Sequence, residues 1–196
     1  MKRDSIRKIT VVALFAALSS VLMFFSFNIP IVPSYLKIDF SDLPALLASF
    51  SLGPLYGVVV SLIKNLINVT FTTTGGVGEL SNFLLSAVFV FVAGLIYKKN
   101  RNKKFAYIGA VCGLLATTFV SYFTNTYLVY PFYEKVMPIN VIIGMSSAII
   151  PSVDSVSDVI LIFNVPFTFF KGFLNTVLTF LIYKRVSPII QSGKIK

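Results

Sequence analysis

The stretch VILIFNVPFTFFKGFLNTVLTFLIY, residues 159–183, decides the fold class of this chain. It is 25 residues long and carries one charged residue, Lys171, near its middle. A helix of about 20 mostly apolar residues spans the hydrocarbon core of a bilayer. A lysine at that depth costs about 2.5–3.5 kcal/mol on insertion scales, so a favourable interaction must offset the cost. The stretch therefore predicts a transmembrane helix with a buried ammonium group.

Lys171 shares one face of this predicted helix with other polar residues. Asn164, Thr168, Lys171 and Asn175 follow one another at spacings of four, three and four, which places them in one narrow stripe. The surrounding residues are phenylalanines, at positions 163, 167, 169, 170, 173 and 180. Two interpretations are open: a polar contact between helices that only stabilises the bundle, or a ligand pocket with Lys171 as its cationic donor. In the second, the bound ligand offsets the cost of burying Lys171.

The composition excludes several classes of protein. A hydrophobic content of 56%, a charged content of 12% and a mean hydropathy of +0.87 indicate a single integral membrane domain over residues 1–196. The sequence contains no histidine, which excludes Ser-His and Cys-His catalysis and histidine metal sites. Its single cysteine, Cys112, cannot form an intrachain disulfide or a thiolate cluster. We therefore expect no enzyme, no cofactor and no metal site.

The apolar segments predict an all-α protein with six transmembrane helices, at about 9–27, 41–52, 54–71, 79–97, 105–130 and 159–184. The first segment opens like a signal peptide, but its length and the missing A-x-A site favour an uncleaved helix. A helix start is predicted at residues 39–44, where Asp39 or Ser41 can cap. Loop 131–158 contains a short apolar helix at 139–150, which we expect to lie over the outer mouth as a lid.

The basic residues predict the orientation. With a cytoplasmic N-terminus, segments 1–8, 98–104 and 184–196 lie inside and hold 13 of the 17 lysines and arginines. This agrees with the positive-inside rule and places both termini in the cytoplasm. The net charge of +10 thus reports orientation and contact with anionic lipid, and we expect no nucleic-acid partner.

Further polar residues lie in the outer halves of other predicted helices. Glu79 and Asn82 share a face of the fourth helix, although Glu79 also suits the first turn as a favourable charge. Asn125 ends the polar face of the fifth helix. Lys64 is either part of the pocket or snorkels to the membrane interface. Together with the sixth helix, these faces predict an outward-facing cavity suited to a flat heterocycle with carbonyl and NH groups.

Two alanines in the first helix predict a close helix–helix contact. Ala13 and Ala17 have the small-xxx-small spacing that lets another helix approach closely. The spacing serves either internal packing or docking of a partner subunit.

Over essentially its whole length, the chain carries motifs of a known family. They are Ala13-x-x-x-Ala17, KIDFSDLP at 37–44, LGP at 52–54, Lys64-Asn65, TTGGVGELSNF at 73–83, Asn125 six residues before Pro131, and PFTFFKG at 166–172. With them the chain resembles the riboflavin-specific substrate-binding subunits, or S components, of energy-coupling factor (ECF) transporters, the RibU family.

This resemblance implies an S-component-like bundle of six helices with a vitamin pocket capped by the first extracellular loop. It also implies a partner module of one transmembrane coupling subunit and two ATPases, with Ala13 and Ala17 docking on the coupling subunit. In the family, an asparagine of helix five and an Asn-x-x-Lys pair of helix six hydrogen-bond the flavin. Asn125 and Lys171 match these positions, whereas position 168 is threonine here.

The predicted function is capture of riboflavin at the outer face of a bacterial plasma membrane, for ATP-driven uptake powered by the separate module. Alternatives are an S component for another vitamin or a flavin analogue, such as FMN or a roseoflavin-like compound, and a membrane bundle without transport. The candidate ligand-binding residues are Lys171, Asn125, Thr168, Asn175, Asn82, Glu79, Asn164 and Lys64.

Overall fold

The computed structural model describes the backbone of residues 2–192 and the side chains of residues 5–182. Within this range the α-helices are α1 (Lys2–Phe24), α2 (Asp42–Leu52), α3 (Pro54–Val69), α4 (Val77–Lys99), α5 (Lys103–Thr124), α6 (Tyr130–Val136), α7 (Ile139–Ser147), α8 (Val156–Asp158) and α9 (Val165–Ser192). Two π-helical segments connect α-helices into longer helical passes. The segment π1 (Asn125–Val129) lies between α5 and α6, and π2 (Val159–Asn164) lies between α8 and α9. The side chains of the basic tail predicted at 184–196 lie outside the described residues.

Four helical passes in the described residues have the length and composition to cross a membrane. They are Ser5–Phe24, Val77–Lys99, Lys103–Val136 and Val156–Ile182. The helices α2 and α3 are apolar but shorter, with 11 and 16 residues. At about 1.5 Å per residue, α2 extends only about 16 Å.

The short helix α2 occupies the centre of the bundle. It packs against α1, α3, α4 and α9. Residues 42–50 are all buried, including the charged Asp42 at its first turn. A helix that is buried on every side needs no amphipathic pattern, which explains why its sequence is apolar nearly throughout.

Glycines allow the tight packing around α2. Gly53 joins α2 to α3 with a φ of 123°, a conformation that L side chains rarely adopt. At Gly113 of α5, an added Cβ would lie 2.6 Å from the carbonyl oxygen of Phe89 in α4. The backbones of α4 and α5 therefore pack at a distance that excludes any side chain at position 113.

The first loop and the fifth helix differ from the prediction. The chain is not purely α-helical, because strands β1 (Phe27–Asn28) and β2 (Lys37–Ile38) pair antiparallel and close the loop between them. The fifth pass was predicted to end before Pro131, yet it continues to Val136. The π1 segment ends with the Tyr130 N–H donating to the Asn125 carbonyl, and Pro131 follows in the first turn of α6, where the missing N–H is tolerated.

Candidate functional site

A cavity opens between the first loop, α2, α4, α5 and the last helical pass. It offers about 160 Å³ to the centres of water-sized molecules. Its polar or charged lining residues are Ser26, Tyr35, Lys37, Asp39, Asp42, Thr73, Thr74, Glu79, Ser81, Asn82, Ser86, Thr117, Asn125, Tyr133, Asn164, Thr168 and Lys171. The apolar walls include Leu85, Phe89, Val129 and Phe167. An apolar cleft with a few convergent polar groups is typical of a small-molecule site.

Lys171 lies at this cavity, and a carboxylate neutralises it. Its Nζ is 2.7 Å from Oδ2 of Asp39, and its side chain is 12% exposed. The ion pair with Asp39 helps to offset the cost of burying the ammonium, a contribution that the ligand-pocket interpretation had assigned to a bound ligand. The pair uses one of the three N–H donors of Lys171, and the others can serve a ligand in the cavity.

Asp39 was predicted as a possible helix cap, but it acts instead as the partner of Lys171. Its Oδ1 accepts hydrogen bonds from the backbone N–H and the hydroxyl of Ser41, which occupies the N-cap position without a side-chain cap bond. Burial alone would raise the pKa of Asp39. The ammonium groups of Lys171 and Lys64 and the hydrogen bonds outweigh burial and lower the pKa to about 2.

Lys64 is fully buried and does not snorkel. Its Nζ donates to Oδ1 of Asp42 and to Oγ of Ser41, both at 2.6 Å. Asp42 also accepts from Ser86, at 2.5 Å. Asp42 lines the cavity, and Lys64 lies behind it, outside the set of cavity-lining residues. Lys64 therefore neither lines the cavity nor reaches the membrane interface, the two positions that the sequence allowed.

Asn125 and Asn164 meet at the cavity through the two π-helical segments. Asn125 begins π1 and Asn164 ends π2. The Nδ2 group of Asn164 donates to Oδ1 of Asn125 at 3.1 Å, and both residues line the cavity while almost fully buried. Such π-bulges in helices occur frequently at functional sites.

Residues 7–183 of the chain match the family described as "ECF transporter, substrate-specific component". The chain belongs to this family. It is 32% identical over 185 residues to "Riboflavin transporter RibU" of Staphylococcus aureus (strain TCH60), covering 94% of this chain and 93% of that protein. It is 29% identical over 194 residues to "Riboflavin transporter FmnP" of Bacillus subtilis (strain 168), covering 96% of each. A solved structure described as "Structure and mechanism of the S component of a bacterial ECF transporter" matches with a TM-score of 0.75 and 31% identity, covering 95% of this chain and 98% of that one.

In this S component, α4 contributes two further predicted residues to the cavity. Oε2 of Glu79 accepts from the hydroxyl of Thr72 at 2.7 Å and from that of Thr74 at 3.3 Å. Asn82 lies one turn further along, and its Oδ1 is buried with no hydrogen-bond partner in the described residues. A buried acceptor without a partner is rare, so Asn82 offers a place for a ligand donor.

The polar stripe of the last pass divides between the cavity and the bundle interior. Thr168 lines the cavity, and its hydroxyl donates to the carbonyl of Asn164 at 2.8 Å. Asn175 is fully buried and is not among the lining residues. Its Nδ2 donates to the carbonyl of Asp39 at 3.1 Å, so Asn175 fixes the segment that carries the partner of Lys171.

The first loop, and not α7, covers the S-component cavity. Tyr35 and Lys37, in or beside the β1–β2 connection, line it, whereas no residue of α7 does so in the described part of the chain. The helix predicted as a lid lies behind this loop, where Met145 receives a hydrogen bond from Ser34. Burial raises the pKa of the Tyr35 hydroxyl, against smaller opposing effects of its hydrogen bonds.

Several cavity residues were not predicted from the sequence. The most important are Asp39, which was interpreted only as a possible helix cap, and Asp42, which lay in the predicted helix start without a role in the site. A signal was present, because two carboxylates close in sequence and two intramembrane lysines suggest pairing. Tyr35 and Thr117 carried no distinctive pattern, since single hydroxyl residues are common in loops and in apolar helices.

The two alanines of the small-xxx-small spacing lie on the outside of α1. Ala13 and Ala17 are exposed on the bundle surface, while Ala16 is buried against it. Ala13 and Ala17 therefore do not serve packing within the described chain.

Proposed function

We propose that this S component captures riboflavin from the extracellular side for ATP-driven uptake by an ECF transporter. Two observations support the proposal together. Lys171, Asn125 and Asn164 come together at one cavity, and the relative from Staphylococcus aureus, at 32% identity, is named a riboflavin transporter. The second observation decides the substrate, because the cavity by itself fits several flat heterocycles.

The polar groups suit the edge of an isoalloxazine ring. Lys171 and the amides of Asn125 and Asn164 can donate to ring carbonyls and ring nitrogens, while Oδ1 of Asn82 can accept from an NH or a hydroxyl. Glu79, Thr73 and Thr74 near the first loop suit a polyhydroxylated side chain. Phe89 and Phe167 supply aromatic contact for the ring faces. Thr168 replaces the family asparagine at the ring edge, and Asn164, one turn earlier, supplies an amide.

We further propose six membrane passes with both termini in the cytoplasm. The four long passes would be completed by α2 and α3, which turn at Gly53 inside the bundle. The positive-inside distribution of lysine and arginine supports this orientation and makes the cavity open outward. The membrane would be the bacterial plasma membrane.

The energy must come from partner subunits. We propose a module of one transmembrane coupling subunit and two ATPases, with the exposed Ala13 and Ala17 as its docking surface on α1. Transport should therefore stop in cells that express this chain but lack the module, while riboflavin binding by the chain persists.

The direct test is binding by the purified protein. We expect flavin absorbance in the protein as isolated, and saturable riboflavin binding that thiamin, biotin and folate do not displace. FMN belongs in the same titration, because Lys37 at the cavity rim, 3.4 Å from Thr73 Oγ1, could contact a phosphate. A protein that binds one of the other vitamins and not riboflavin would contradict the proposed substrate.

A further inference from the structure

Tyr130 lies behind the two asparagines of the cavity. It is 3% exposed, and it is not among the cavity-lining residues in the described part of the chain. Its hydroxyl donates to Oδ1 of Asn164 at 3.1 Å and is 3.2 Å from the hydroxyl of Tyr35. Because a phenol has one hydrogen, Tyr35 must be the donor in its contact with Tyr130.

The hydrogen bonds from Tyr35 to α5 therefore all run in one direction. Tyr35 donates to Tyr130, Tyr130 to Asn164, and Asn164 to Asn125. Asn125 then donates from Nδ2 to the carbonyl of Ser121 at 2.7 Å. Each amide oxygen thus accepts from the preceding donor, and each amide nitrogen donates to the following acceptor.

The direction of these hydrogen bonds determines which polar groups of the two asparagines remain available to a ligand. Each asparagine amide has two N–H donors, and the chain of hydrogen bonds uses one of them. The second N–H of Asn125 and of Asn164 can point into the cavity, while both amide oxygens are engaged. The Ser121 carbonyl can only accept, so it orients the Asn125 amide, and reversing the Asn164 amide would set the Asn164 oxygen against Oδ1 of Asn125. Mismatched polar groups are costly at such low exposure.

We propose that Tyr130 is a positioning residue: its hydroxyl holds Oδ1 of Asn164 and keeps the Asn164 amide in the orientation that Asn125 and the Ser121 carbonyl impose. The site then selects a ligand edge with two hydrogen-bond acceptors, such as a carbonyl oxygen next to another carbonyl or a ring nitrogen. This inference rests on the proposed function, since riboflavin presents such an edge. Tyr130 does not line the cavity in the described part of the chain, so it would act on the ligand indirectly, through Asn164.

A double-mutant cycle tests the inference. Riboflavin titrations on purified wild type, Tyr130→Phe, Asn164→Ala and the double variant give four affinities. We expect Tyr130→Phe to weaken binding about five- to tenfold in the wild-type background, in line with the loss of one orienting hydrogen bond. In the Asn164→Ala background the same change should have less than about a twofold effect, because the residue it orients is gone. Tyr127→Phe is the matched control, since Tyr127 is 74% exposed in π1.

The outcomes are distinct. If wild type binds riboflavin and Tyr130→Phe has no effect, or has the same effect in both backgrounds, Tyr130 does not act through Asn164 and the inference is wrong. If wild type binds no riboflavin, the proposed function fails and this inference fails with it. Should Tyr130→Phe not fold, Asn164→Asp decides, because aspartate still accepts from Tyr130 but has no N–H for Asn125 or the ligand. A loss of at least tenfold supports the inference, and unchanged affinity overturns it.

Discussion

The side chains described for residues 5–182 include two buried lysine–aspartate pairs of opposite arrangement. In the Lys171–Asp39 pair, the ammonium is the more exposed member, with side-chain exposures of 12% and 3%. In the Lys64–Asp42 pair, the order is reversed, with 0% for the lysine and 10% for the aspartate. The N–O distances are nearly the same, 2.7 and 2.6 Å. The cavity thus receives a positive group from α9 and a negative group from α2.

The difference separates a binding role from a structural one. Lys64 donates hydrogen bonds to Asp42 and Ser41 and does not line the cavity. Lys171 makes one such bond, to Asp39, and lines the cavity. A buried ion pair contributes little net stability compared with apolar packing, but removing one partner is strongly destabilising. Stability should therefore depend most on Lys64, and ligand affinity most on Lys171.

The largest effect is expected from Lys64→Met. Methionine retains much of the apolar stem but leaves Asp42 buried without its cation, which should lower the free energy of unfolding by about 3–5 kcal/mol. Thermal unfolding of the detergent-solubilised protein measures the loss. The double variant Lys64→Met/Asp42→Asn should recover much of it, because it removes both charges and keeps an acceptor for Ser86. A single variant that unfolds at the wild-type temperature would contradict the structural role of this pair.

Lys171→Met should act mainly on the ligand. We expect at least tenfold weaker riboflavin binding, about 1.4 kcal/mol or more, because the cationic donor at the cavity is lost. Stability should fall less than in Lys64→Met, since Asp39 retains its hydrogen bonds from Ser41 and the cavity admits water. Lys37→Met, at the cavity rim, is the control and should change the affinity less than about threefold. Unchanged binding by Lys171→Met would show that riboflavin does not use this ammonium.

The helices and many of the cavity residues could be predicted from the sequence, but the lysine–aspartate ion pairs could not. Hydrophobic length located the long passes, and the helical period placed Asn164, Thr168 and Lys171 on one face. The same pattern could not distinguish Lys64 from Lys171, because each is a lysine among polar neighbours on an apolar helix. Their difference depends on which aspartate approaches from the start of α2, which is a tertiary contact.

The π-helical segments and the two short strands could not be predicted from the sequence pattern either. Proline usually marks a helix boundary, so Pro131 was interpreted as the start of a loop. Here Pro131 and Pro166 each follow two residues after a π-helical segment, and the helix continues. A π-bulge has no strong local signature. The two-residue strands β1 and β2 were similarly hidden, because so short a ribbon depends on the loop folding over the bundle.

The smallest effect is expected from protonation of Asp39, the carboxylate of the Lys171–Asp39 pair. Because the pKa of Asp39 is lowered from 3.8 to about 2, its ionised form stabilises the fold above about pH 4. That contribution is lost as the pH falls towards 2. Between pH 6 and pH 3.5, linkage gives a loss of about 0.6 kcal/mol from this group. Thermal unfolding over this range should show the fall in wild type. The fall should be smaller in Lys171→Met, because without the Lys171 ammonium the burial of Asp39 is less opposed and its pKa is lowered less. An equal fall in both proteins would mean that Lys171 does not hold Asp39 in its charged form.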